Sequence, residues 1–179
     1  MQPEIFQGEV MKVLSEYRIP FAGLKEGSHD FHFEADEAFF SSFEYSEIEQ
    51  GRIRVDVSMV KQSRMLIFDT RIKGQVTIPC DRCLGTMDYP VEGSERLFVK
   101  FGAEHKEESE DVMIIPEKES HFDLSPFIYE YIVLLLPYQR VHADENECDQ
   151  EMIRKLNDHS EAENDPRWDA LRHLKNKFE

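Results

Sequence analysis

From Gly51 to Phe101 apolar and polar side chains alternate, broken only by short turns. Ile53, Val55, Val57 and Met59 interleave with Arg52, Arg54, Asp56 and Ser58, and Leu66, Phe68 and Thr70 interleave with Met65, Ile67 and Asp69. A period of two sends successive side chains to opposite faces of a strand, so this pattern requires a sheet with one apolar face. Gly74–Pro79, Met87–Val91 and Glu95–Phe101 read as further strands, as do Asp30–Ala35 and Val112–Ile115, the last stopped by Pro116. Strands in succession with short turns predict a mainly antiparallel sheet or a partly closed barrel.

Helices are few. Glu9–Ser15 has the pattern of a short helical turn, and Asp36 reads as the N-cap of a short helix carrying Phe39, Phe40 and Phe43. Ser125 followed by Pro126 reads as the N-cap and first residue of a helix that ends before Pro137. Its side chains are apolar nearly all round, which predicts burial against the sheet. Beyond Pro137 the chain turns polar and acidic, with a short helical pattern at 151–156 and a last one opened by Asp165-Pro166-Arg167-Trp168. The expected fold is α+β: a core domain over residues 1–137 and an acidic tail with short helices over 138–179.

Charge narrows the partners. The 179 residues carry a net charge of -16, which repels polyanions over long range and favours a basic protein partner. The N-terminus lacks the pattern of a signal peptide, and the longest apolar run, Tyr131–Leu136, is too short to span a bilayer. The expected location is the cytoplasm, away from membranes, with thiols reduced.

Three cysteines are present, two of them in Cys80-Asp81-Arg82-Cys83-Leu84. Cys-x-x-C between strands lets two thiolates converge on one metal from a tight turn. A structural zinc needs four ligands, and Cys148 with His142 would complete a Cys3His set with Cys80 and Cys83. Two other readings stay open. The pair can be a turn whose cysteines only pack. It can also be a thiol-disulfide redox pair, but the activating helix N-terminus of such sites is missing from the pattern.

Between Gly51 and Arg82 stand seven cations, Arg52, Arg54, Lys61, Arg64, Arg71, Lys73 and Arg82, against the three acids Asp56, Asp69 and Asp81. On one sheet face they would form a patch able to contact nucleic-acid phosphates; the alternative is a solvated outer face with a charged edge. No phosphate-binding glycine loop or nucleophile elbow is present, so the pattern predicts no enzyme.

The Cys80-Asp81-Arg82-Cys83-Leu84 motif resembles that of the YceD family, the large ribosomal RNA subunit accumulation proteins. Ile19-Pro20-Phe21-Ala22-Gly23-Leu24, Val99-Lys100-Phe101-Gly102, the Asp123–Pro137 helix and the closing Asp165-Pro166-Arg167 with Leu171 and Leu174 follow in that family's order. The resemblance covers nearly the whole chain, in a form similar to the Bacteroidetes variants. It implies a non-enzymatic role in the synthesis, processing or stability of 23S rRNA, with a large-subunit ribosomal protein or pre-ribosomal particle as partner. It assigns no catalytic residue. Many relatives carry further tail cysteines, whereas this chain has only Cys148.

Overall fold

The structure, a computed structural model, describes residues 12–160. The long alternation becomes three consecutive strands, β3 (Gln50–Lys61), β4 (Met65–Pro79) and β5 (Thr86–Gly102). They follow β1 (Arg18–Ile19) and β2 (Gly27–Ala35) and precede β6 (Lys106–Ser109), β7 (Val112–Pro116) and β8 (Phe122–Asp123). Two segments that read as separate strands, Met87–Val91 and Glu95–Phe101, are one continuous β5, because Glu92, Gly93 and Ser94 keep pairing with Lys73, Ile72 and Arg71.

The main sheet has the order β2-β3-β4-β5-β7-β6, and β1 with β8 forms a small second sheet. The main sheet is open rather than closed into a barrel, with β2 and β6 at its edges. All its pairings are antiparallel except β5 with β7, which run parallel from Phe98↔Val112 to Gly102↔Pro116. The acidic stretch 104–111 is therefore in part strand: Lys106 and Glu107 pair with Ile114 and Met113.

The buried face is the one the alternation marks. Ile53, Val55, Val57 and Met59 meet Leu66, Phe68, Ile72 and Ile78 of the next strand in one core. Two helices cover this face. The first, α1 (Glu37–Ser41), starts at Asp36, whose carboxylate accepts from the Phe39 N–H at 3.1 Å, and it buries Phe39 and Phe40. The second, α2 (Ser125–Leu134), buries Ile128, Tyr131 and Ile132. Gly93 gives it room, since a Cβ there would stand 2.5 Å from Leu135.

Two expectations for α2 change. The N-cap is Leu124, and Ser125 lies inside the helix, buried; Asp123 accepts from both its N–H (3.0 Å) and its hydroxyl (2.6 Å). Nor is the helix buried all round, because Leu134 is exposed. After α2 come a single 3-10 turn (Glu145–Glu147) and a helix α3 (Gln150–Ser160), longer than the expected 151–156. Residues 12–15 are helical, as the N-terminal pattern predicted. The helix expected from Asp165 lies outside the described residues. Among the described residues no helix is long and apolar enough to cross a membrane.

Candidate metal centre

The tip of the β4–β5 hairpin carries Cys80-Asp81-Arg82-Cys83. The loop is closed by the Cys80 N–H donating to the Gly85 carbonyl and the Leu84 N–H donating to the Cys80 carbonyl, both at 2.8 Å. Leu84 takes a left-handed backbone (φ 61), which turns the chain back into β5. With the loop so tight, both sulfurs face inward, and Cys80 and Cys83 are buried.

The other two ligands come from beyond α2. Asp144 accepts from the Asn146 N–H at 2.9 Å and starts the 3-10 turn, and the Cys148 N–H closes it on the Glu145 carbonyl at 3.1 Å. Asp149 then caps α3, accepting from Glu151 (2.8 Å) and Met152 (3.2 Å). Cys148 thus sits between two capped turns. The segment is held to the hairpin by a pair of hydrogen bonds. The Asp81 N–H donates to the Arg140 carbonyl at 2.7 Å, and the Arg140 N–H donates to the Asp81 carboxylate at 2.8 Å. The Arg140 guanidinium reaches Glu47, and Arg82 lies 3.7 Å from Glu145.

The result is a four-residue cluster. One ligand atom each from Cys80, Cys83, His142 and Cys148 lies within 4.8 Å of all the others. His142 Nδ1 is 3.7 Å from Cys83 Sγ and 3.6 Å from Cys148 Sγ. A tetrahedral ion about 2.3 Å from sulfur and about 2.0–2.1 Å from nitrogen separates its ligand atoms by roughly 3.5–3.8 Å. The set therefore fits a metal ion with little movement. It forms an apolar pocket of its own, with Met87, Val141, Met152 and Ile153 packed around the three cysteines.

The electrostatics of the cluster favour a bound cation. Burial pushes the Cys80 thiol up, but the backbone amides of Cys83, His142 and Arg82, with the His142 ring, outweigh it and lower the thiol to about 6. The activation expected to be missing without a helix is thus supplied by amides of the turn and of His142. Cys148 moves the other way, up to about 11, through burial and the neighbouring Cys83 and Cys80 sulfurs. A cation relieves that repulsion and lets all three ligate as thiolates.

The seven cations read as rRNA contacts separate into groups. Arg52, Arg54, Arg71 and Lys73 share the outer face of β3 and β4, as the register Arg54↔Lys73 and Asp56↔Arg71 requires. That face is largely neutralised. Arg54 pairs with Asp56 at 2.9 Å, Lys73 with Glu92 at 3.0 Å, and Arg96 with Asp69 at 2.6 Å. Lys61 is turned away and donates to the Phe21 and Leu24 carbonyls, each at 2.8 Å. Arg64 lies in the β3–β4 turn and Arg82 in the hairpin tip. Asp81, Arg140 and Glu145, which position the cluster, escaped the sequence reading. Asp81 was visible only as a residue inside the cysteine motif, and the others carried no local signal.

An open antiparallel sheet whose hairpin tip and trailing segment close on one Cys3His cluster defines the class of protein. The chain belongs to the YceD family: the family model described as "Large ribosomal RNA subunit accumulation protein YceD" matches residues 68–175. That span contains all four clustered residues. The chain is also similar to the "Uncharacterized protein YlbN" of Bacillus subtilis (strain 168), with 32% identity over 78 residues. The match covers 44% of this chain and 44% of that relative. No solved structure matches the chain.

Proposed function

We propose that this chain is a non-enzymatic ribosome-assembly factor of the cytoplasm that supports 23S rRNA by binding a large-subunit ribosomal protein or pre-ribosomal particle. The family match over residues 68–175 carries the reading. The charge of -16 supports a basic protein as the direct partner, with any rRNA contact confined to outer-face cations such as Arg52 and Arg71 that have no ion-pair partner among the described residues.

Zinc is the ion that suits the cluster. Three thiolates and one imidazole are soft donors in a closed, four-ligand set, the pattern of a structural zinc site rather than a catalytic one. When bound, zinc ties the segment after α2 to the hairpin and adds its binding energy to the fold. A second reading, a thiol-disulfide protein, is favoured by the lowered Cys80 thiol, but Cys80 is fully buried.

Two experiments test these readings. Protein purified without chelator should contain one zinc per chain; metal-free protein whose native thiols all react with an alkylating reagent would rule zinc out. A tagged chain should recover large-subunit ribosomal proteins or particles, and its depletion should lower 23S rRNA. Recovery of rRNA stripped of protein, with no ribosomal protein enriched, would show the partner to be RNA.

A further inference from the structure

Five large apolar side chains are exposed among the described residues, and three of them belong to segments meeting at Arg140: Tyr45 (85% exposed), Leu84 (71%) and Tyr138 (106%). Tyr45 precedes Glu47 by two residues, and Tyr138 precedes Arg140 by two. The Glu47–Arg140 ion pair joins these two segments. The Asp81–Arg140 pair joins them to the hairpin tip that carries Leu84. A further contact braces the first segment, since Phe43 stacks on Tyr129 of α2 with ring centroids 4.2 Å apart. Exposed apolar side chains carried on braced segments are what a partner uses, because little backbone is left to order on binding.

The charge around them selects the partner. Glu44, next to Tyr45, and Glu49, four residues further on, have no ion-pair partner among the described residues, and Asp81 is exposed. The two local cations are already engaged, Arg140 by Glu47 and Arg82 by Glu145. Tyrosine faces beside exposed carboxylates suit guanidinium and ammonium groups, which gain from the ring and from the charge together.

We infer that Tyr45, Leu84 and Tyr138, with Glu44, Glu49 and Asp81, form a docking surface for an extended Arg/Lys-rich protein segment, assembled by the same contacts that hold the metal cluster. This deepens the assembly-factor reading and rests on it for the partner's biological source.

The test uses the full zinc-loaded chain and a labelled peptide of alternating Arg and Gly, with an oligouridylate of equal length for comparison. Tyr45→Ala with Tyr138→Ala leaves net charge unchanged, so a loss of binding reports the surface and not diffuse attraction. The expected loss is about five-fold or more, at unchanged metal content and circular dichroism. Glu107→Gln with Glu108→Gln, on β6 and away from the hairpin tip, should change binding by less than about two-fold. Equal peptide binding by parent and tyrosine variant, or oligouridylate binding as tight as the peptide's, overturns the proposal. The assembly-factor reading fails separately, if the tagged parent captures no large-subunit component. If the tyrosine variant captures as much as the parent, the docking surface is wrong while that reading stands.

Discussion

Asp81 and Arg140 are bound to each other twice, through the Asp81 N–H to the Arg140 carbonyl at 2.7 Å and the Arg140 N–H to the Asp81 carboxylate at 2.8 Å. The residues are 59 apart in sequence; Asp81 is next to Cys80, and Arg140 stands two positions before His142. The pair therefore sets the register in which His142 and Cys148 approach Cys80 and Cys83.

Asp81→Ala should weaken zinc binding by about ten-fold while the sheet stays folded, because it removes a positioning contact and no ligand. Competition against a chromophoric chelator measures the affinity. Asp81→Asn, which keeps an acceptor oxygen, should recover most of it.

Cys148→Ser should abolish stoichiometric zinc without unfolding the protein. The three cysteines pack in a cluster separate from the main core of Ile53, Phe68 and Ile128. Metal analysis should fall to near zero, and far-ultraviolet circular dichroism should hold. Hydrogen exchange should quicken at residues 140–150 and not in β3 or β4.

Gly74→Ala should destabilise the fold by more than about 2 kcal/mol. A Cβ at Gly74 would lie 2.2 Å from the Arg52 carbonyl oxygen and 2.7 Å from Ile53 Cα, both backbone atoms that cannot swing aside. Gly23→Ala, with nothing within 4 Å of the new carbon, is the control and should be nearly silent. Urea midpoints compare the two.

Tyr131 should make the protein sensitive to alkali. Burial, then Glu95, Asp111 and Glu130, push its hydroxyl up to about 12, and burial with Asp36, Glu16 and Glu34 moves Tyr17 in the same direction. An unfolded tyrosine ionises near 10, so the folded chain holds the proton more tightly (about 10 against about 12). Below pH about 10 both states are protonated and the contribution is full; it is lost as pH rises from there through about 12. Denaturation midpoints across that window should fall, and Tyr131→Phe should flatten part of the slope. Because the Tyr131 hydroxyl is buried without a hydrogen-bond partner among the described residues, that variant at neutral pH should match the parent within about 1 kcal/mol or exceed it.

The strands of the sheet and their buried face were legible in the chain, because a period of two is a local property: Ile53 and Val55 face the core wherever β3 finds its neighbours. The Asp36 cap was legible for the same reason, since its partner Phe39 is three residues away. The cluster was half legible. Cys80 and Cys83 lie in one turn, while Cys148 and His142 could be joined to them only by counting sulfurs. Tertiary structure decided the rest. Arg54 is paired with its strand neighbour Asp56, Lys73 with Glu92 across the β4–β5 pairing, and Lys61 is spent on the Phe21 and Leu24 carbonyls, so seven charges in one segment do not make one patch. The low Cys80 thiol depends on three amides, one of them from His142, which only the folded chain brings to the hairpin tip. Alternation, caps and turns are set between residues a few positions apart. Charge balance, thiol ionisation and the closing of a four-ligand set depend on groups that sequence keeps distant and folding brings within a few ångströms.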